Sequence, residues 1–126
     1  MFTKFYFRSL NSRMFVNNID ILGLRMASSD QKAYVSVNFE IHGKVQGVFF
    51  RKNTRRTAQK HGLVGWVRNT RHGTVEGQVQ GYKEQVNEMK IWLKEKGSKN
   101  SVITKADFKN EKVIDGVKHE AFVIRK

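Results

Sequence analysis

The chain contains no cysteine and no proline. Without cysteine there is no disulfide, no thiol nucleophile and no thiolate ligand for a metal, so stability rests on packing, and the composition suits a reducing compartment. Without proline, no turn relies on a ring-fixed φ. Acids are also scarce: 11 Asp and Glu stand against 24 Lys and Arg, a net charge of +13. A field of that sign gathers anions and speeds their encounter with the surface. Its natural partners are a phosphorylated small molecule or a nucleic acid, and composition alone does not choose between them. No run approaches the roughly 20 apolar residues that cross a bilayer, so no membrane span is expected.

With 126 residues, 39% of them apolar, the sequence has room for one domain with one core. Residues 1–25 differ from the rest. They carry Lys4, Arg8, Arg13 and Arg25 against a single acid, Asp20, and are rich in aromatics without strict alternation. They read as a leader, either disordered or targeting. The basic, acid-poor, Ser-containing start resembles a mitochondrial transit peptide, and Met26 offers a second start. Cytoplasmic localisation is the first expectation, and a mitochondrial one holds if residues 1–25 are a transit peptide. Most of the positive charge lies beyond this leader, so the basic character belongs to the domain, placed at 30–126.

From Ala33 the pattern sharpens. Val35, Val37, Phe39 and Ile41 alternate with Ser36, Asn38, Glu40 and His42, which predicts a half-buried strand. Phe50, Thr54, Thr57 and Ala58 fall at helical spacing, and Lys60, His61 and Gly62 supply a basic last turn and a glycine stop. Leu63–Asn69 and Thr74–Gly81 predict a hairpin, with Val75 and Val79 on one face. A second helix spans Lys83–Lys96, with Val86, Met89, Trp92 and Leu93 as its apolar stripe and Gly97 as its end. Val102, Thr104, Ala106 and Phe108 alternate again, and Phe122 and Ile124 form a last short strand. Asp115-Gly116 between them is either a tight hairpin turn or a plain loop. The fold expected is α+β, a ferredoxin-like α/β sandwich. Two helices would lie on one face of a four- to five-stranded, mainly antiparallel sheet.

Between the first strand and the first helix stands Gly43-Lys44-Val45-Gln46-Gly47-Val48-Phe49-Phe50-Arg51. Glycines let the backbone take left-handed dihedrals and turn successive N–H groups toward one point. Such a row is an anion nest, and a helix N-terminus adds its positive end. Arg51, in the first helical turn, can present a planar fork to two oxygens of a phosphate, which a lysine cannot match. A Gly-x-x-x-Gly connection alone is more often simply a tight turn. It is no Walker loop, because no Gly-Lys-Ser/Thr closes it, and no dinucleotide fingerprint, because the third glycine is missing.

A second block follows: Gly65-Trp66-Val67-Arg68-Asn69, then Gly73-x-Val75 and Gly81. Alone it reads as a hairpin whose turn starts at Asn69 and closes at Gly73. Together the two blocks resemble both signature motifs of the acylphosphatases, with no departure in either, and the resemblance runs from about Ala33 to Lys126. It implies hydrolysis of the carboxyl–phosphate bond of acyl phosphates without metal or other cofactor. In its terms Arg51 is the catalytic, phosphate-binding arginine, Asn69 positions the attacking water, and Gly43, Lys44, Val45, Gln46, Gly47, Val48 and Phe49 form the phosphate cradle. Thr70 matches a supporting hydroxyl. Some relatives carry a cysteine in this loop where Phe49 stands here, so thiol-based redox control is not expected. With no base in either motif, the water's proton is expected to pass to a substrate oxygen, a substrate-assisted reaction.

The partners expected are a small acyl phosphate and inorganic phosphate, the latter as product and competitive inhibitor. No patch asks for a dimer, so a monomer is expected. The competing class is a single-stranded RNA reader, whose basic four-stranded sheet is similar. Its Lys/Arg-Gly-aromatic-Gly/Ala-Phe strand signature is missing from every strand. His42, His61, His72 and His119 are scattered, with no pair at i, i+4, so a metal site is not expected. Trp66 and Trp92 read as core anchors.

Overall fold

The computed structural model describes residues 32–126. The expectations placed on residues 1–25 fall outside them. The elements run β1 (Tyr34–Lys44), α1 (Phe50–Lys60), β2 (Val64–Asn69), β3 (Val75–Tyr82), α2 (Lys83–Ile91), β4 (Val102–Ile114) and β5 (Phe122–Ile124). The helical path of α2 continues through one wider turn, Trp92–Lys96, to Gly97 at φ +66°.

The sheet order is β4-β1-β3-β2-β5. The β1–β3, β1–β4 and β2–β3 pairs are antiparallel, and β2–β5 is parallel. Both β1 and β2 oppose β3, so they run the same way with β3 between them. The link through α1 therefore has to cross over one strand, and the link through α2 crosses β1 in the same manner. This is the ferredoxin-like α+β topology. It has a consequence for function: β1 and β2 end on the same side of the sheet. Ile41 pairs with Val75 and Val75 with Asn69, so these three residues form one row across three strands.

The alternation of β1 is answered by the core. Val35, Val37, Phe39 and Ile41 are buried under the helices with Val67, Val75 and Val79. Phe50, Thr54 and Ala58 of α1 and Val86, Met89 and Leu93 of α2 and its last turn close over them. Trp92 is half-buried, its ring 5.6 Å from that of Phe50. Trp66 is not a core anchor. Its neighbour Val67 takes the inward position, so Trp66 points to the other face, between the guanidinium groups of Arg68 at 5.5 Å and Arg125 at 4.6 Å.

Asp115-Gly116 proves to be a loop rather than a hairpin turn, because β5 pairs with β2 at the far side of the sheet and not with β4. That loop lies over part of the open face. The Lys118 N–H donates to Gln80 Oε1 at 2.7 Å, and a His119 ring nitrogen meets Gln78 Oε1 at 2.7 Å.

The hairpin depends on Gly65, at φ +141°, where a Cβ would stand 1.9 Å from the Gln78 carbonyl oxygen. Backbone strain and overpacking act together there. Gly65→Ala should therefore cost about 3 kcal/mol or more, read as a lower urea midpoint with an unchanged slope. Gly116→Ala, where a Cβ meets nothing within 4 Å, serves as the near-neutral control.

Candidate active site

Leaving β1, the chain reverses and enters α1 within five residues. Gly43, Gly47 and Phe49 have φ of +120°, +75° and +60°, while Val48 between the last two is not among the positive-φ residues. Alternation of sign over Gly47-Val48-Phe49 turns consecutive N–H groups to one side, the geometry of an anion nest. Among the described residues none of the N–H groups from Gln46 to Phe49 donates to a protein acceptor. The next groups, those of the first helical turn, have no intrahelical acceptor by construction, and Asn53 N–H is the first to close, onto Phe49 C=O at 3.0 Å. Unpaired donors of the loop thus run on into those of the helix start, where the peptide dipoles concentrate positive potential.

The side chains of the loop divide the remaining work. Val45 is buried and Val48 packs against the core, so both plug the loop into the domain and offer only backbone outward. Lys44 is exposed. Phe49 is 73% exposed, large for an aromatic, and lies under the Lys52 ammonium at 5.9 Å. Arg51 is half-buried and lines a cavity of about 300 Å³ with Val45, Gly47, Phe49, Phe50, Lys52 and Ile124. Cradle and arginine thus come together in one place.

Asn69 and Thr70 line a neighbouring groove with Arg68, Arg71, His72 and Lys126, not the cavity that holds Arg51. Gln46 joins the two. Its side-chain amide donates to the carbonyls of Thr70, at 2.9 Å, and Thr74, at 2.8 Å, which ties the loop to the β2–β3 turn one residue beyond Asn69. Asn69 Oδ1 is buried and accepts no hydrogen bond among the described residues. A buried amide oxygen left unpaired costs on the order of 1–3 kcal/mol, so its place in a site calls for a donor, and water is one.

Thr70 does not point its hydroxyl at the cradle. Its Oγ1 meets Thr74 Oγ1 at 2.6 Å and accepts the N–H groups of His72 and Thr74, both at 3.2 Å. Thr74 Oγ1 passes the chain on to Glu40 Oε2 at 2.7 Å. The hydroxyl therefore shapes the turn that carries Asn69. Glu40 and Gln46 were legible in the sequence only as a strand residue and a loop member. Their links to Thr74 and Thr70 span 34 and 24 residues, and no local pattern reports contacts of that kind.

Fold and loop together define a ferredoxin-like α+β domain with an anion-sized backbone nest at the start of its first helix. The family model for Acylphosphatase matches residues 37–124. Acylphosphatase-1 of Xenopus tropicalis is 58% identical over 92 residues, covering 73% of this chain and 94% of that protein. Acylphosphatase-1 of Gallus gallus is 52% identical over 101 residues, covering 80% and 100%. The structure of an acylphosphatase from Coxiella burnetii superposes with a TM-score of 0.65 at 32% identity, over 75% of this chain and 95% of that one. The chain belongs to the acylphosphatase family of hydrolases. No helix of the described residues is long and apolar enough to cross a membrane.

Removing the Gln46 amide should free the loop from the turn. Gln46→Ala should lower stability by about 1–2 kcal/mol for two hydrogen bonds to backbone. Faster amide exchange confined to residues 43–49 and 70–74 would locate the effect, whereas exchange that rises evenly over the sheet would contradict it.

Proposed function

We propose that the chain hydrolyses the carboxyl–phosphate bond of acyl phosphates, giving a carboxylate and inorganic phosphate. The observation that carries this reading is the run of unpaired N–H groups at Gln46–Phe49 opening onto the cavity that Arg51 lines. A phosphoryl dianion seated there receives backbone donors, the helix N-terminus and a guanidinium fork at once.

The chemistry asks for little else. The bond to be broken joins phosphorus to an oxygen that leaves as a carboxylate, already a stable anion, so no general acid is needed to protonate it. Two tasks remain: to hold charge on the phosphoryl oxygens and to place water in line with the leaving oxygen. Arg51 and the cradle perform the first, with donors fixed before substrate arrives. Asn69 performs the second, its buried Oδ1 accepting one proton of the water as a hydrogen bond. An amide does not take that proton as a base. As the water oxygen bonds to phosphorus and the P–O bond to the acyl group breaks, the proton moves to a phosphoryl oxygen. The products are then a carboxylate and dihydrogen phosphate, with atoms and charge in balance.

The acyl side meets mostly apolar side chains, Phe49 and Ile124 among them, which fits loose selection of the acyl group. Nucleic acid fits this surface poorly. The open sheet face that an RNA reader would use carries Glu40, Glu76 and Asp107, which repel phosphates, and its aromatics are already engaged, Trp66 by Arg68 and Arg125 and Tyr34 by stacking on Tyr82.

The test is benzoyl phosphate hydrolysis by the full chain in the presence of EDTA. Arg51→Ala should lower kcat/KM by roughly 10²–10³-fold and weaken inhibition by inorganic phosphate, and Arg51→Lys should restore little. Asn69→Ala should lower kcat by about 100-fold or more while phosphate inhibits as before. Phosphate inhibition lost in Asn69→Ala, or kept in Arg51→Ala, would overturn the division of roles.

A further inference from the structure

The open face of the sheet carries a cluster of candidate metal ligands away from the cradle and Arg51. Glu40 and His42 lie two residues apart on β1 and so share the face away from the helices, and Asp107 pairs directly with Glu40 on β4. A carboxylate oxygen from each acid and a ring nitrogen of His42 all lie within 4.8 Å of one another, and all three side chains are half-buried. Carboxylates directly opposite each other on paired strands repel. Lys105 offsets this in part, its ammonium 3.6 Å from Asp107 Oδ2, but its side chain is 65% exposed and sits on a flexible stem.

We propose that Glu40, His42 and Asp107 form a binding site for a divalent transition ion such as zinc. One imidazole and two carboxylates make a three-ligand set with a fourth position open to water. The imidazole favours zinc-like ions over magnesium or calcium. Two ligands at about 2.0–2.1 Å from a tetrahedral ion stand about 3.3 Å apart. His42 Nε2 and Asp107 Oδ2 are 3.2 Å apart, so an ion could replace the proton they share with little movement of either. Glu40 is oriented by the Thr74 hydroxyl, which donates to Oε2 and leaves the carboxylate a further oxygen. A pocket lined by Asn38, Glu40, Trp66, Glu76, Asp107 and Lys109 opens beside the cluster and gives an entry path. Two positive charges neutralise the facing carboxylates more fully than Lys105 can. The site is independent of the hydrolytic reading, and the ion takes no part in the reaction.

The experiment is calorimetric titration of the metal-free full chain with zinc chloride in phosphate-free buffer, beside thermal unfolding with and without zinc. A single saturable site is expected in the wild type. His42→Gln and Asp107→Asn should each weaken it by about tenfold or more, while His72→Gln and His119→Gln leave it unchanged. Lys105→Met, which keeps all three ligands and removes the competing cation, should tighten it. Zinc should raise the wild-type Tm and leave that of His42→Gln where it was, which separates lost binding from lost folding. Equal zinc affinity in His42→Gln and wild type, weaker binding in Lys105→Met, or no saturable binding at all would overturn the proposal.

Discussion

The constraint on which the rest depends is the reversal from β1 into α1. The chain has to turn within five residues, keep its backbone donors free, and still be rigid. Gly47 satisfies the conformational part at no steric cost. Phe49 satisfies it at a cost, because a bulky residue at φ +60° sits in a region that side chains disfavour by about 1–3 kcal/mol. Burial on either side holds that strain in place. Val45 and Phe50 are each only 1% exposed, and they clamp the two ends of the loop into the same core. Strain of this kind persists only where the surroundings over-determine it, and here the surroundings are the core itself.

On the proposed reading, rigidity at the loop would be of little use if Asn69 moved independently. The topology deals with this before any side chain does, since β1 and β2 end on the same side of the sheet, one strand apart. Strand spacing places the row Ile41, Val75, Asn69 across about 10 Å, and the Gln46 amide closes what remains between loop and turn. The two halves of the site are thus held by one sheet and one side chain.

What the sequence disclosed follows from how local each signal is. Alternation in β1 and helical spacing in α1 are properties of adjacent residues, and the structure bears out both. The two glycine-bearing motifs are nearly as local, so the loop and the hairpin could be located in advance. A tryptophan in a strand suggests a core, while the face Trp66 takes depends on Val67 beside it. The nature of Asp115-Gly116 stayed open because only the pairing of β5 with the distant β2 decides it. The meeting of His42 with Asp107 was illegible, since the two are 65 residues apart and come together only through the β1–β4 register.

The distribution of charge completes the account. Helix α1 carries Arg51, Lys52, Arg55, Arg56 and Lys60 and no acid, and it begins at the cradle. Three acids of the sheet, Glu40, Glu76 and Asp107, gather on the opposite face, partly paired with Arg68 and Lys105, while Glu111 of β4 pairs with Lys90 of α2. Five basic residues thus lie on the helix that starts where the loop presents its N–H groups, so long-range attraction and short-range hydrogen bonding act on an anion along the same approach. Salt screens the first over about 10 Å and leaves the second largely intact. On the proposed reading, capture of a phosphate-bearing substrate from dilute solution draws on the basic composition of the chain, while its orientation draws on a few residues between Gly43 and Arg51.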